Sequence, residues 1–209
     1  MEKSKLLTEI NNVGHAFYNK NDSKKLKDPI FLEQIHSFEV VRVTRPNAVL
    51  KPADAMVTCV PGLKLTLKTA DCAPVLLADK KRGVVAAAHA GWKGAFSGIL
   101  ETTLLEMVRL GAWPDNIVAA IGPCIHVNSY PVEEEMKQLF TENVQEFFVK
   151  RRGTEHFDLP GYVAYRLYRA GLKEVDIIDV NTYTDKRYNS YRRDPSNPAR
   201  QFSSIWVEE

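Results

Sequence analysis

"TADCAPVLLADKKRGVVAAAHAGWKG", residues 69–94, decides the fold. Its centre holds two continuous apolar runs, "PVLLAD" and "GVVAAAHA", a pattern expected of strands covered on both faces. Only Lys80, Lys81, Arg82 and Gly83 separate them. That is too short for a parallel crossover, so the runs form an antiparallel hairpin at the centre of a sheet. With Lys80 and Lys81 as the turn, opposed residue numbers sum to 161, which sets Cys72 against His89. A turn centred nearer Arg82 moves the register by a residue or two and still leaves both at one end of the hairpin. Opposed side chains have Cβ atoms about 4.5–5.5 Å apart, near enough to share a metal or to couple a thiolate to an imidazole.

Outward from the hairpin, "FEVVRV" (38–43) and "GLKLTLKT" (62–69) alternate as strands do, "NIVAAIGPCI" reads as a further buried strand, and "EVDIIDV" and "QFSSIWV" supply late ones. A helical stripe runs from Phe96 through Ile99, Leu100, Leu104, Met107 and Val108 to a stop at Gly111. Pro131 is expected to open a second helix, with its stripe on Val132, Met136, Leu139, Phe140, Val144, Phe147 and Phe148. A third follows Asp158 as N-cap, with Pro160 in the first turn and Gly171 near the end. Strands and helices mix without strict alternation, so the expected class is α+β.

Composition limits the functions open to such a domain. With 44% hydrophobic and 26% charged residues the chain is globular, and its net charge of +2 comes without the basic clustering that nucleic-acid binding needs. The polar start and the absence of any apolar run of membrane-spanning length point to a cytoplasmic protein with no membrane partner. Three cysteines, at 59, 72 and 124, match no disulfide framework and are expected as free thiols, Cys59 in the core. Oligomeric state is not encoded in any legible pattern.

The turn "AHAGWKG" places two glycines around a tryptophan where a buried strand meets a helix, offering backbone N–H groups to an anion. Lys93 at that turn is the first choice for a phosphate, and Arg192 or Arg193 in "SYRRD" the second. Asp71, beside the cysteine, either orients a histidine through its second ring nitrogen or points away. Cys124 and His126 form a CxH pair that is read as structural, and His15 and His156 carry no functional signal.

Taken in order, "EQIHS", "DAMVT", "PGLKLTLKTADCAPVLL", "AAAHAGWKG", "AAIGPCI" and "SYRRD" followed by "RQ" resemble the YfiH family, once described as polyphenol oxidoreductases or laccases and now as purine nucleoside phosphorylases. The likeness is closest over residues 31 to about 136. It implies two mixed sheets packed as a sandwich with flanking helices, related to the cytotoxic necrotizing factor-like cysteine hydrolases. It also implies one zinc ion held by His36, Cys72 and His89. Two imidazoles and a thiolate leave a catalytic zinc its fourth position.

The activity implied is phosphorolysis of adenosine, inosine or methylthioadenosine, with adenosine deaminase activity as a further expectation. Two alternatives stand beside it: a cysteine-dependent amidase or editing hydrolase of peptidoglycan precursors, and a noncatalytic zinc-binding domain. Five histidines in all are too few for the copper clusters of a laccase. Residues 1–209 read as one domain with a shortened N-terminal segment. Family members carry a long stretch before the QxHS motif that helps build the substrate pocket, whereas here "VGHAFYNKND" runs almost directly into "FLEQIHS".

Overall fold

The computed structural model describes the backbone of residues 1–209 and the side chains of all of them except Ser23 and Glu142. In chain order the main elements are α1 (Lys5–Thr8), β1 (Val13–Phe17), β2 (Pro29–Ile30), β3 (Val40–Arg42), β4 (Ala55–Thr58), β5 (Lys64–Thr69), β6 (Ala73–Asp79) and β7 (Val85–Ala90). Then come α2 (Trp92–Ser97), α3 (Ile99–Arg109), β8 (Ile117–Ile121), β9 (Pro131–Val132), α4 (Glu134–Gln138), β10 (Phe148–Arg151), β11 (Thr154–Phe157), α5 (Leu159–Arg169), β12 (Val175–Ile177) and β13 (Gln201–Val207).

A six-stranded sheet runs β12-β8-β6-β7-β4-β3 and a four-stranded one β1-β13-β5-β2. Both are mixed, with parallel pairs β12/β8, β3/β4 and β2/β5. The apolar runs of β6 and β7 occupy the middle of the larger sheet, where successive side chains serve two different cores. Val75, Leu77, Ala86 and Ala88 join Ile99, Leu104, Met107 and Leu167 under the helices. Leu76, Ala78, Val85 and Ala87 face the other way and meet Leu65, Leu67, Ile205 and Val207 of the smaller sheet. The period of two thus persists inside runs whose polar members, Asp79 and His89, stand only at or next to their ends. Each fully buried Leu, Val or Ile contributes roughly 1.5–3 kcal/mol, which makes this hairpin the keystone of both interfaces.

The hairpin register differs from the two-residue-turn expectation. Pro74, not Cys72, lies opposite His89, and Ala73 faces Ala90. The cause is Asp79, whose Oδ1 accepts from the N–H groups of Lys81 at 2.8 Å and Arg82 at 3.0 Å. Its own N–H donates to Val84 O at 2.9 Å. This side-chain-closed turn takes Lys80 to Gly83 into the loop and shifts the pairing by two residues. Cys72 accordingly falls just outside β6, diagonal to His89 and still at the same end.

Gly98, at φ 100°, splits the first expected helix into α2 and α3. The third, α5, starts as expected on Asp158, which accepts from Gly161 N–H. The helix expected from Pro131 to Phe148 is not continuous. Pro131–Val132 are a strand, α4 ends at Gln138, a 3₁₀ segment covers Glu142–Phe147 and Phe148 begins β10. Phe140, Val144 and Phe148 are nonetheless buried. Phe140 packs its ring 4.9–5.5 Å from those of Phe96, Phe148, Phe157 and Tyr162, and Phe148 is also the strand partner of Phe157. That pairing forces the chain out of helical geometry before residue 148. Cys59 is exposed rather than in the core: β4 ends at Thr58, whose hydroxyl donates to Val43 O and accepts from Val60 N–H, turning the chain there.

Candidate metal centre

The end of the larger sheet where β7 finishes and β4 and β6 begin gathers the chemistry. His89 points inward from the end of β7, Cys72 precedes β6, and His36 lies on the loop between β2 and β3. Their ligand atoms all fall within 4.8 Å of one another, the one such group among the described residues. Gly91 makes the convergence possible, because a Cβ there would lie 3.0 Å from Cys72 Sγ and 3.2 Å from His36 Nδ1. Ligands of a tetrahedral zinc are about 3.5 Å apart, and the exposed His36 is the donor free to close that gap.

Asp54 builds this site. Fully buried, it accepts from the N–H groups of Ile35, His36 and Ser37 at 3.2, 3.0 and 2.6 Å and from Ser37 Oγ at 2.8 Å. Those bonds hold His36 at φ 60°, a conformation that costs a non-glycine residue about 1–3 kcal/mol. The same carboxylate meets His89 Nδ1 at 2.8 Å, fixing the ring and leaving Nε2 to face the other donors.

The electrostatics follow from these contacts. Burial alone would raise the Asp54 carboxyl, but hydrogen bonds from His89 and Ser37 hold it at about 2. Burial would lower His89, yet Cys72 and Asp54 outweigh it and push the imidazole up to about 9. Partial desolvation by its neighbours first, and His89 second, push His36 down, so of the two rings it is the one that favours the neutral form. Two imidazoles, one of them braced by a carboxylate, and a cysteine sulfur fit one divalent ion of borderline softness once the ion has displaced their protons.

A cavity of about 480 Å³ opens beside the group, walled by Ile35, Trp92, Ile125, Tyr130, Leu159 and Tyr191. Lys93 and Arg192 reach the same cavity. The Lys93 ammonium lies 5.6 Å from the Trp92 ring centroid. The Arg192 guanidinium lies 5.3 Å from that of Tyr130, and its Nη1 donates to Pro131 O at 2.8 Å. Arg193 is placed elsewhere: it donates to the carbonyls of Thr182, Tyr183 and Tyr188 at 2.6–2.7 Å and so locks its own loop. Cys124 is fully enclosed, and burial pushes its thiol far up, so it stays protonated. His126 is 3.7 Å from Asp179 and forms no donor group with Cys124.

A family model described as multi-copper polyphenol oxidoreductase laccase matches residues 12–208. The chain belongs to this family, which includes the YfiH proteins. This YfiH-family chain is 39% identical over 175 residues to the purine nucleoside phosphorylase of Deinococcus radiodurans, covering 83% of the chain and 68% of that relative. It is 33% identical over 183 residues to the Escherichia coli purine nucleoside phosphorylase YfiH, covering 86% and 74%. The crystal structure of a Neisseria meningitidis protein superposes with a TM-score of 0.80 at 31% identity, over 87% of this chain and 75% of that one.

Within the YfiH framework the two aspartates have different tasks. Asp71, the neighbour of Cys72, makes no bond to either histidine. Its Oδ1 accepts from Thr182 Oγ1 at 2.7 Å, and its Oδ2 from Ser190 Oγ at 3.0 Å and Arg192 N–H at 2.7 Å. It therefore ties the C-terminal loop to the mouth of β6. The orienting carboxylate is Asp54, which sequence reasoning passed over inside the motif "DAMVT". Its position directly before a buried strand that pairs with β7 was the available signal. The multi-copper description finds little support in the donors: His15 and His156 are engaged singly with the backbone and lie outside the one group the described residues assemble.

Proposed function

We propose that this chain is a zinc-dependent purine nucleoside phosphorylase acting on adenosine, inosine or methylthioadenosine. The observation that carries the reading is the convergence of His36, Cys72 and His89 beside a cavity that is both aromatic and cationic, in a chain whose relatives are named purine nucleoside phosphorylases. Zinc, when bound, supplies Lewis acidity and positive charge next to the reacting centre, and three protein donors is the number a catalytic zinc takes.

The chain's own residues do the rest. Trp92, Tyr130 and Tyr191 give flat faces for a purine, Lys93 and Arg192 supply positive charge for the nucleoside and phosphate pair, and Asp54 holds His89 in one orientation. Phosphate oxygen bonds to C1′, the C1′–N9 bond breaks and its electron pair leaves with the base. The proton carried by hydrogen phosphate ends on the purine. We read residues 1–209 as a single cytoplasmic domain with a shortened segment before His36, and adenosine deamination as a second activity of the same cavity.

The test is base release by zinc-loaded protein. Adenine or hypoxanthine should appear in proportion to phosphate, with inosine and ammonia from adenosine when phosphate is withheld. No base release at any phosphate concentration would sink the phosphorylase reading.

One observation favours a second reading. His89 bridges Cys72 and Asp54, the connectivity of a nucleophile, base and orienting carboxylate. In metal-free protein this arrangement suits a cysteine-dependent amidase or peptidoglycan-precursor editing hydrolase. Alkylation of Cys72 separates the two: precursor turnover that survives complete alkylation excludes a cysteine nucleophile.

A further inference from the structure

The donor group forms part of a wall shared by two cavities. Beyond the aromatic one, a second of about 630 Å³ adjoins it, and both are bounded by His36, Ala70, Cys72 and Tyr191. His89 opens on the second cavity only. The two differ in chemistry. Where the first is walled mainly by aromatic and aliphatic side chains, the second presents Lys68, Arg200, Thr69, Gln34 and Glu33.

Three details point to an anion in the second cavity. Thr69 is 2% exposed and its Oγ1 has no hydrogen-bond partner among the described residues, and a buried hydroxyl without a partner is an uncompensated donor. Among the described residues Arg200 bonds the protein through Nη1 alone, to the carbonyls of Asn197 and Ala199 in its own loop. Lys68 extends its ammonium over the Phe31 ring at 4.3 Å. Its backbone is pinned by Gln34, which accepts from Lys68 N–H at 2.8 Å and donates to Lys68 O at 2.9 Å.

We propose that the second cavity is the inorganic phosphate subsite, with Lys68, Arg200 and Thr69 as its ligands, and that Lys93 and Arg192 act on the nucleoside. This rests on the phosphorylase reading and sharpens it. Displacement at C1′ needs the attacking oxygen and the departing base on different sides of one carbon. Two compartments meeting at a common wall beside the donor group provide that separation: the phosphate oxygen approaches from the basic side while the purine leaves into the aromatic one.

The experiment measures KM for phosphate and for inosine in zinc-loaded wild type, Lys68→Ala, Arg200→Ala, the double variant and Thr69→Val, with phosphate binding followed separately by calorimetry. Lys68 and Arg200 are exposed, so their variants retain the fold even where Thr69→Val does not. The double variant should raise the phosphate KM at least tenfold, leave the inosine KM within twofold and hold zinc at wild-type stoichiometry. An unchanged phosphate KM, or an equal rise in both, overturns the proposal. Should wild type release no base at all, the phosphorylase reading fails by itself. Calorimetry then still decides the subsite: phosphate affinity lost in the double variant supports it, and affinity unchanged between wild type and double variant overturns it.

Discussion

His15 and His89 are both buried, at 1% and 4% exposure, on β1 and β7, and they behave as opposites. His15 accepts from the Ser4 N–H at 2.9 Å through Nε2. Burial first, and Lys3 second, push it down to about 4. His89 meets a carboxylate and a thiol and is pushed up to about 9. Burial therefore does not make a histidine functional; the partners it is given do. His15 is a neutral fastener for the N-terminal segment, whereas His89 carries a charge that a metal ion can replace.

The largest effect expected of that contrast is in metal binding. His89→Ala should abolish stoichiometric zinc binding, as should Cys72→Ser to nearly the same degree, while His15→Gln keeps it at wild-type level. Metal analysis after dialysis against micromolar zinc reads this directly. Zinc retained by His89→Ala would remove His89 from the ligand set and collapse the comparison.

Next in size is the partner that makes the two histidines differ. Asp54→Asn keeps the side-chain shape but withdraws the charge from His89 and weakens the bonds that hold residues 35–37. Loss of such an orienting group costs about 10–100-fold in metal affinity, measurable by competition with a chromophoric chelator. Gly91→Ala should cost less than tenfold. Its Cβ crowds Cys72 and His36 by a few tenths of an ångström without removing a donor. An affinity as high as wild type in Asp54→Asn would show that the three donors orient themselves.

What could be read from the sequence follows from how local each determinant is. The hairpin of β6 and β7, its central place and the triad itself rest on short apolar runs and on motifs whose residues are close along the chain or familiar in combination. The register was misplaced by two residues because Asp79 closes its turn through a side chain, which hydrophobic patterning does not encode. The expected helix through Phe140 and Phe148 broke for a similar reason: its stripe is satisfied by an aromatic cluster drawn from distant segments, and a 3₁₀ turn plus a strand bury the same residues. Asp54 was missed because its partners, His89 and residues 35–37, are 17–35 positions away. Arg193 looked equivalent to Arg192, yet one residue decides whether a guanidinium reaches the cavity or turns back on its own loop.

The smallest effect tests the His15 side by pH. In unfolded chain the imidazole titrates near 6.5, and in the fold at about 4. Above 6.5 both states are neutral and His15 makes no pH-dependent difference. As pH falls from 6.5 towards 4 the unfolded state binds a proton that the fold refuses, so stability declines, by at most about 1.4 kcal/mol per pH unit. His15→Gln retains an acceptor for Ser4 N–H and cannot titrate, so its denaturation midpoint should be flatter across that window than the wild-type curve. In metal-free protein His89 has the reverse sign: its raised value contributes stability below 6.5 that is lost as pH climbs through about 9. Chemical denaturation between pH 4 and 6.5 therefore isolates His15 from His89, and equal slopes for wild type and His15→Gln would mean that the buried imidazole of β1 is not held neutral by its surroundings.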